Sequence, residues 1–365
     1  MKVLLAFDSF KGTMSSLEVA NIVKEGLKYK YPDLNVQTLE IGDGGEGTLD
    51  AIINQIGGEK RFKTIIGPHF EKIDAPLGIK GNTCFIESAS VVGFKYKKDK
   101  DTPSNISTYG IGELIKYALE LDMKNIYICL GGTTSNDGGC GMAQALGVKF
   151  YNKEGKEFTP MGISLNEIVD IDLSCIDKRL ENVNIYGLVD VINPLYGKNG
   201  ASYVYGPQKG ASKAEVIKMD EGLKHLSQIL VEKYQLDLAD FQGSGAAGGL
   251  GYGLICFLKA KIKKGIETIL DLLNFNDIIK EANIIFTGEG RLDAQSFQGK
   301  VIDGIFKKAK DKDVIGIFGI IDENVDIPYK FKKIYEINSK HLPFEEVKKH
   351  TKSDLEELVK TIDLS

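Results

Sequence analysis

Five loops in this chain combine carboxylates with glycine, and each follows a short apolar run of strand character. They are Asp8-Ser9-Phe10-Lys11-Gly12, Asp43-Gly44-Gly45-Glu46-Gly47, the segment GGTTSNDGGCG at Gly131–Gly141, the loop Asp190–Gly197, and Gly288–Asp293. Glycine admits positive φ and lets backbone approach a ligand closely. Free amides at a helix start carry partial positive charge and suit phosphate. The Gly131–Gly141 corner stands between an apolar run at Ile126–Leu130 and a helical pattern at Met142–Leu146, which makes it the expected phosphate site. It lacks the Gly-Lys-Ser/Thr ending of a P-loop. Lys11, Lys209 and Arg291 are the loop cations. Carboxylates, cations and glycine-rich amides together suit phosphoryl transfer, which needs charge neutralisation on phosphate oxygens, a carboxylate-held Mg²⁺ and a group to accept a hydroxyl proton.

Other chemistries fit less well. The four histidines, at 69, 225, 341 and 350, lie outside these loops, which argues against imidazole acid–base catalysis. GxSxG is absent, and Ser244 between Gly243 and Gly245 has no evident His partner. The first strand is followed by DSFKGT rather than GxGxxG, which weakens a dinucleotide reading. The five cysteines are widely spaced and form no CxxC, so neither a disulfide framework nor a zinc site is expected. Cys129 reads as a small core residue; Cys140, inside the glycine-rich corner, stays open to a reactive role.

The elements that must position these loops follow from periodicity. Val3–Phe7, Val36–Ile41 and Arg61–Ile66 read as strands, separated by a helix opened by the Ser15…Glu18 capping box and by a second helix over Leu49–Ile56. The same grammar returns at Ile284–Thr287, Val301–Lys310 and Val314–Phe318. Alternating β and α units predict a parallel sheet, with ligands beyond the carboxyl ends of its strands. The two similar blocks at the chain ends suggest one domain built from both, with the middle inserted. The expected division is 1–67 plus 282–365, and 68–281. Within the middle, a helix near Gly112–Leu121, a strand at Asn184–Val189 and a long helix opened by the Ser212…Glu215 capping box are expected. The stretch GSGAAGGLGYG is too rich in glycine for an ordinary helix start, and about Phe344–Ile362 reads as a surface helix.

With 365 residues, two domains are the better expectation, and 42% hydrophobic with 27% charged residues places the chain among ordinary globular proteins. A net charge of −5 gives no reason to expect nucleic acid. No apolar run approaches the roughly 20 residues of a membrane span, and no signal peptide is evident, so a cytoplasmic protein without a membrane partner is expected.

These motifs, taken together, resemble the bacterial type-1 glycerate kinases. The matching stretches are DSFKG at 8–12, GDGGEGT at 42–48, TYG at 108–110, GG…NDGG…GMAQALG at 131–147, NPLYG at 193–197, GPQKGA at 206–211, GAAGGLG at 245–251 and TGEGRLD at 287–293. The resemblance covers nearly the whole chain. It implies an α/β fold of two domains, one Rossmann-like and built from both chain ends, with the active site in the cleft between them. It also implies ATP-dependent, Mg²⁺-dependent phosphorylation of D-glycerate, with a lean towards the 2-phosphate. Alternatives are a kinase for another small hydroxy acid, or a non-catalytic nucleotide- or sugar-acid-binding protein on the same scaffold. A monomer or homodimer is compatible with the sequence.

On this resemblance, Gly131, Gly132, Thr133, Asn136, Asp137 and Gly138 are expected at the nucleotide phosphates. Lys11 and Lys209 would neutralise transferring charge. Asp8, Ser9, Asn193 and Arg291 would contact glycerate, with Arg291 on its carboxylate. Mg²⁺ would be held by Asp43 and Glu46, or by Asp190. Asp190 or Asp293 would accept the hydroxyl proton. For Asp137 an N-cap role stays open beside the ligand role. The chain departs from the usual family pattern at Phe7, where proline is common, at Thr133-Thr134-Ser135, and at Gly319-Ile320, where Gly-Ser is common and a ligand contact is put in doubt.

Overall fold

The computed structural model describes residues 1–297 and 299–364. The chain forms two compact units. The first comprises Met1–Asp43, Asp50–Ile56 and the chain from Ile266 onward; the second comprises Gly44–Leu49 and Gly57–Gly265.

The first unit is built on a five-stranded parallel sheet in the order Lys333–Glu336, Asp313–Phe318, Ile284–Thr287, Lys2–Leu5, Asn35–Thr38. Both ends of the chain therefore contribute strands to one sheet. Val3 lies opposite Ile284 on one side and Val36 on the other. The central strands are nearly continuous apolar runs, as expected where both faces are covered. Helix Ser16–Lys30 starts at the Ser15 capping box, whose side chain accepts from Glu18 N while Glu18 reaches back. Its buried Val19, Val23 and Leu27 pack in one core with Leu355 and Val359 of helix Thr351–Thr361.

From Lys2–Leu5 the chain proceeds to the neighbouring Asn35–Thr38 on one side. From Ile284–Thr287 it proceeds to Asp313–Phe318 on the other. The two adjacent central strands thus feed connections running in opposite directions. That is the topological switch point at which open parallel sheets bind ligands, beyond the carboxyl ends of the strands. The loops placed there are Asp8–Gly12 and Gly288–Asp293.

The second unit carries a six-stranded sheet in the order Lys261–Lys264, Asn184–Val189, Asn125–Cys129, Thr83–Glu87, Lys72–Lys80, Glu59–Ile66. The first four strands run parallel, and Lys72–Lys80 pairs antiparallel with Thr83–Glu87 on one side and Glu59–Ile66 on the other. The long helix Lys213–Tyr234 opens at the Ser212 capping box as expected. Helix Ala246–Leu258 has positive φ at Ala247, Gly248 and Gly249, so the glycine-rich start is indeed irregular.

The observed units differ from the expected boundaries at 67/68 and 281/282. Strand Glu59–Ile66 is not a third strand of the terminal sheet: it forms an antiparallel hairpin with Lys72–Lys80, which carries it into the second unit. Gly44–Leu49 also belongs there, because Gly44 O accepts from Gly131 N at 2.9 Å and Leu49 N donates to Glu87 at 3.0 Å. The segment 266–281 belongs to the first unit, where Lys308 reaches Asp271 at 2.7 Å.

Candidate active site

The first unit contains a cavity of about 570 Å³ at the switch point of its sheet. Asp8, Ser9, Phe10 and Lys11 line it from the loop after Lys2–Leu5. Glu289, Arg291, Asp293 and Lys300 line it from the loop after Ile284–Thr287 and the helix start beyond. Gly319, Ile320, Asn338, Phe344 and Thr351 complete the wall. Gly319 and Ile320 therefore face the cavity despite their departure from the usual pattern.

Backbone contact holds these loops together. Asp8 N donates to Gly288 O at 2.9 Å, and Gly319 N to Glu289 O at 3.1 Å. A Cβ on Gly288 would lie 1.7 Å from Ile317 O, so only glycine fits at that point. Gly290 sits against the Phe10–Lys11 backbone, where an added Cβ would meet Phe10 Cα at 3.3 Å. The strand ends thereby bring Asp8 and Glu289 to one wall.

The electrostatics of that wall are crowded with negative charge. Asp8 is 3% exposed. Burial, with the charges of Asp43 and Glu289, raises its pKa well above the ordinary carboxylate range, against the opposing pull of Lys11 and the Ser9 amide. Desolvation works against the Lys11 ammonium, but Asp43, Asp8 and Glu289 outweigh it and raise its pKa. Lys11 Nζ lies 2.5 Å from Asp43 Oδ2. Burial also raises Glu289, while Ser296, Lys300 and Lys11 favour its charged form. Three carboxylates thus crowd around Lys11, and Lys300 approaches Glu289 from the other side.

Arg291 is largely exposed and pairs with Asp322 at 3.0 Å, so its guanidinium sits at the rim of the cavity. Asp293 Oδ1 accepts from Gln295 N at 2.8 Å and Ser296 N at 3.2 Å. That oxygen organises the turn Ala294–Phe297, which weakens the expectation that Asp293 is a free base.

In the second unit the glycine-rich corner is more structural than the sequence suggests. Gly131 and Gly132 are accessible, but residues 133–141 are buried. A Cβ on Gly131 would lie 2.7 Å from Gly44 O, so the close approach served there is to the Gly44–Gly45 backbone. The helix that follows, Cys140–Ala145, is only six residues long. Asp137 is fully buried and accepts from Thr108 N at 2.8 Å, Thr108 Oγ1 at 2.7 Å and Gly139 N at 3.1 Å. These bonds make it an internal cap joining the TYG motif to the corner. Burial raises its pKa, and these hydrogen bonds work against that rise.

Four further residues named for nucleotide phosphate or transferring charge are also enclosed. Thr133 is 4% exposed, and Gly138 packs where a Cβ would meet Leu226 at 2.7 Å. Asn136 is fully buried and donates to Ser202 Oγ at 3.0 Å. Lys209, 4% exposed, donates to Ser135 O at 2.8 Å rather than facing a ligand. Burial pulls its pKa down to about 7 despite Asp137 nearby. Asn193 is also occupied: its amide nitrogen reaches Asn199 O at 2.8 Å and its Oδ1 accepts from Tyr205 at 2.6 Å. Cys140 is buried, and burial drives its thiol pKa well up, which opposes a reactive role.

Among the carboxylates named for metal, Asp43 pairs with Lys11, and Glu46 is exposed on its turn. Asp190 is partly exposed, and its carboxylate lies against Gly265, where a Cβ would come within 2.5 Å. Among the described residues, no group of three or more His, Cys, Asp or Glu side chains is disposed to hold a metal ion. Mg²⁺ ordinarily takes only one or two carboxylates, with phosphates and water completing its shell. The donor set is compatible with that mode.

Sequence reasoning missed Glu289 and Lys300. Glu289 stood inside the TGEGRLD motif between two glycines after a strand, the same signal that picked out Glu46, and was given no role.

A parallel-sheet α/β protein whose switch-point cavity mixes carboxylates with lysine and arginine fits the phosphotransferase class. The chain belongs to the glycerate kinase family, whose model matches residues 3–364. It is similar to the glycerate 2-kinase of Escherichia coli (strain K12), 42% identical over 90% of this chain and 88% of that one. The glycerate kinase of Bacillus subtilis (strain 168) is 36% identical over 100% and 97% of the two chains. A crystal structure assigned to glycerate kinase 2 of Salmonella typhimurium LT2 superposes with a TM-score of 0.83 at 34% identity, over 99% of this chain and 96% of that one. Among the described residues no helix is long and apolar enough to cross a membrane.

Proposed function

We propose that the protein transfers the γ-phosphoryl group of ATP, with Mg²⁺, to a hydroxyl of D-glycerate, and that the product is 2-phospho-D-glycerate. The observation that carries this reading is the switch-point cavity of the first unit. It offers carboxylates for hydroxyl groups and cations for a carboxylate or phosphate, at the scale of a small hydroxy acid with part of a nucleotide. Arg291 and Lys300 are the groups for the glycerate carboxylate. Arg291 can exchange its Asp322 partner for a bidentate pair with substrate. Lys11 neutralises charge on the transferring group, the role of the fixed cations in phosphoryl transfer. Asp8 and Ser9 contact the hydroxyl-bearing end.

Gly131 and Gly132, the accessible part of the corner, remain the backbone candidates for nucleotide phosphate. Mg²⁺ bound with ATP would neutralise phosphate charge, and Asp43 and Glu46, or Asp190, would hold it. A cytoplasmic location and a monomer or homodimer belong to the same reading.

The test is turnover of purified protein with ATP and Mg²⁺ over a panel of small hydroxy acids, followed by coupled ADP detection. D-Glycerate should give the highest kcat/KM. Absence of turnover on it, with turnover on another acid, would replace the substrate assignment. ³¹P NMR of the product separates the 2- from the 3-phosphate.

A further inference from the structure

The most demanding unsatisfied group at the cavity wall is Glu289. Its side chain is 9% exposed and lines the cavity. Its Oε1 has no hydrogen-bond partner among the described residues and no contact with solvent. A buried carboxylate oxygen without a donor is costly, and such a group calls for an explanation. A proton or a bound donor would satisfy it. Of the other carboxylates at this cavity, Asp293 has its Oδ1 engaged by two backbone amides of its own turn.

The groups facing Glu289 come from two segments. Asp8 and Lys11 approach from the first loop, and Asp293, Ser296 and Lys300 from its own loop and the helix start beyond. Burial, the largest influence, raises the Glu289 pKa, as does Asp293, while the Ser296 hydroxyl, Lys300 and Lys11 favour the ionised form. A raised carboxylate pKa suits a general base.

We propose that the Glu289 carboxylate is the general base of the reaction, accepting the proton of the glycerate hydroxyl that is phosphorylated. The inference rests on the glycerate kinase reading above. In the step, the hydroxyl O–H bond breaks and its proton passes to Glu289. The freed electron pair of that oxygen forms the bond to the γ-phosphorus. The bond from that phosphorus to the bridging oxygen breaks, and the nucleoside diphosphate leaves with the electron pair. Glu289 then returns its proton to solvent.

Glu289→Gln keeps the shape and removes the base. It should lower kcat by about 10²- to 10⁴-fold, with the D-glycerate KM changed by less than about threefold. A kcat within about threefold of the unmodified enzyme would overturn the proposal. Glu289→Ala should regain activity with added formate, a small carboxylate that fills the vacated space; Glu289→Gln should not. If either variant fails to fold, the unmodified enzyme still decides. Its kcat should fall on the acid side as Glu289 protonates, and a kcat that stays flat as the pH is lowered through the whole range in which the enzyme remains folded would overturn the proposal. Unmodified enzyme inactive on every hydroxy acid would instead sink the functional reading itself, so the two failures are distinguishable.

Discussion

Lys209 shows how far burial can redirect a residue that looks like a ligand. Its ammonium is enclosed in the second unit, holds Ser135 O, and has a pKa pulled down to about 7. An ordinary lysine titrates near 10.4. Below about pH 7 the residue is charged in both folded and unfolded chains, and the desolvation penalty is fully present. Between about pH 7 and about pH 10 the unfolded chain keeps the proton that the folded chain has lost, so stability rises with pH at up to about 1.4 kcal/mol per pH unit. Urea unfolding of the unmodified protein and Lys209→Met across that window should show the difference moving in favour of the unmodified protein as pH rises. A pH-independent difference would mean that Lys209 titrates normally. The type of residue and its place in GPQKGA were visible in the sequence, but its enclosure was not. Asp137 teaches the same point: NDGG reads equally as ligand or cap, and only the four groups donating to its carboxylate, from Thr108, Gly139 and Gly141, decide for the cap.

At the scale of elements, the site depends on loops packed backbone to backbone at the ends of two adjacent parallel strands. Gly288→Ala would force a Cβ to 1.7 Å from Ile317 O, between strand ends that cannot separate without losing their ladder. It should cost more than about 4 kcal/mol, in the range reserved for backbone clashes and core disruption. Gly290→Ala meets Phe10 Cα at 3.3 Å and should cost no more than about 1–2 kcal/mol while displacing Glu289 and lowering kcat. Thermal melts and initial rates on the pair check this. Equal loss of stability in both would show that the contact distances do not govern the outcome. The strands carrying these loops were legible because short apolar runs ended in glycine and carboxylate. The direction of Glu59–Ile66 was not, since period-two alternation reports a strand without naming its partner. Its neighbour Lys72–Lys80 escaped notice because Pro76 and Gly78 interrupt the pattern; Pro76 instead sits opposite Phe62 in the hairpin.

At the scale of the whole molecule, the feature with the widest consequence is that the two chain ends complete one unit. Strand Lys2–Leu5 pairs with Ile284–Thr287, and helix Ser16–Lys30 shares its core with Thr351–Thr361. The repeated β-α grammar at both ends made this arrangement readable, whereas the transfer of 57–67 and 266–281 between units was not, because it rests on which partner each segment takes: a hairpin with Lys72–Lys80 for the first, contacts such as Lys308 with Asp271 for the second. The C-terminal helix is more than a surface cover: Leu355, Val359, Ile362 and Leu364 are buried in that core. Burying each such side chain contributes about 1.5–3 kcal/mol, so the four together contribute on the order of 6–12 kcal/mol. That matches the roughly 5–15 kcal/mol by which a whole native protein exceeds its unfolded state. A chain ending at His350 should therefore fail to form the first unit, and should be recovered as aggregate or without a cooperative melt. The same truncation removes Thr351 from the cavity wall, so any soluble fraction should also lose turnover. A soluble truncated protein with the unmodified Tm would show that the sheet closes its core without the C-terminal helix, and would shift the stabilising burden to Ser16–Lys30 and the strands alone.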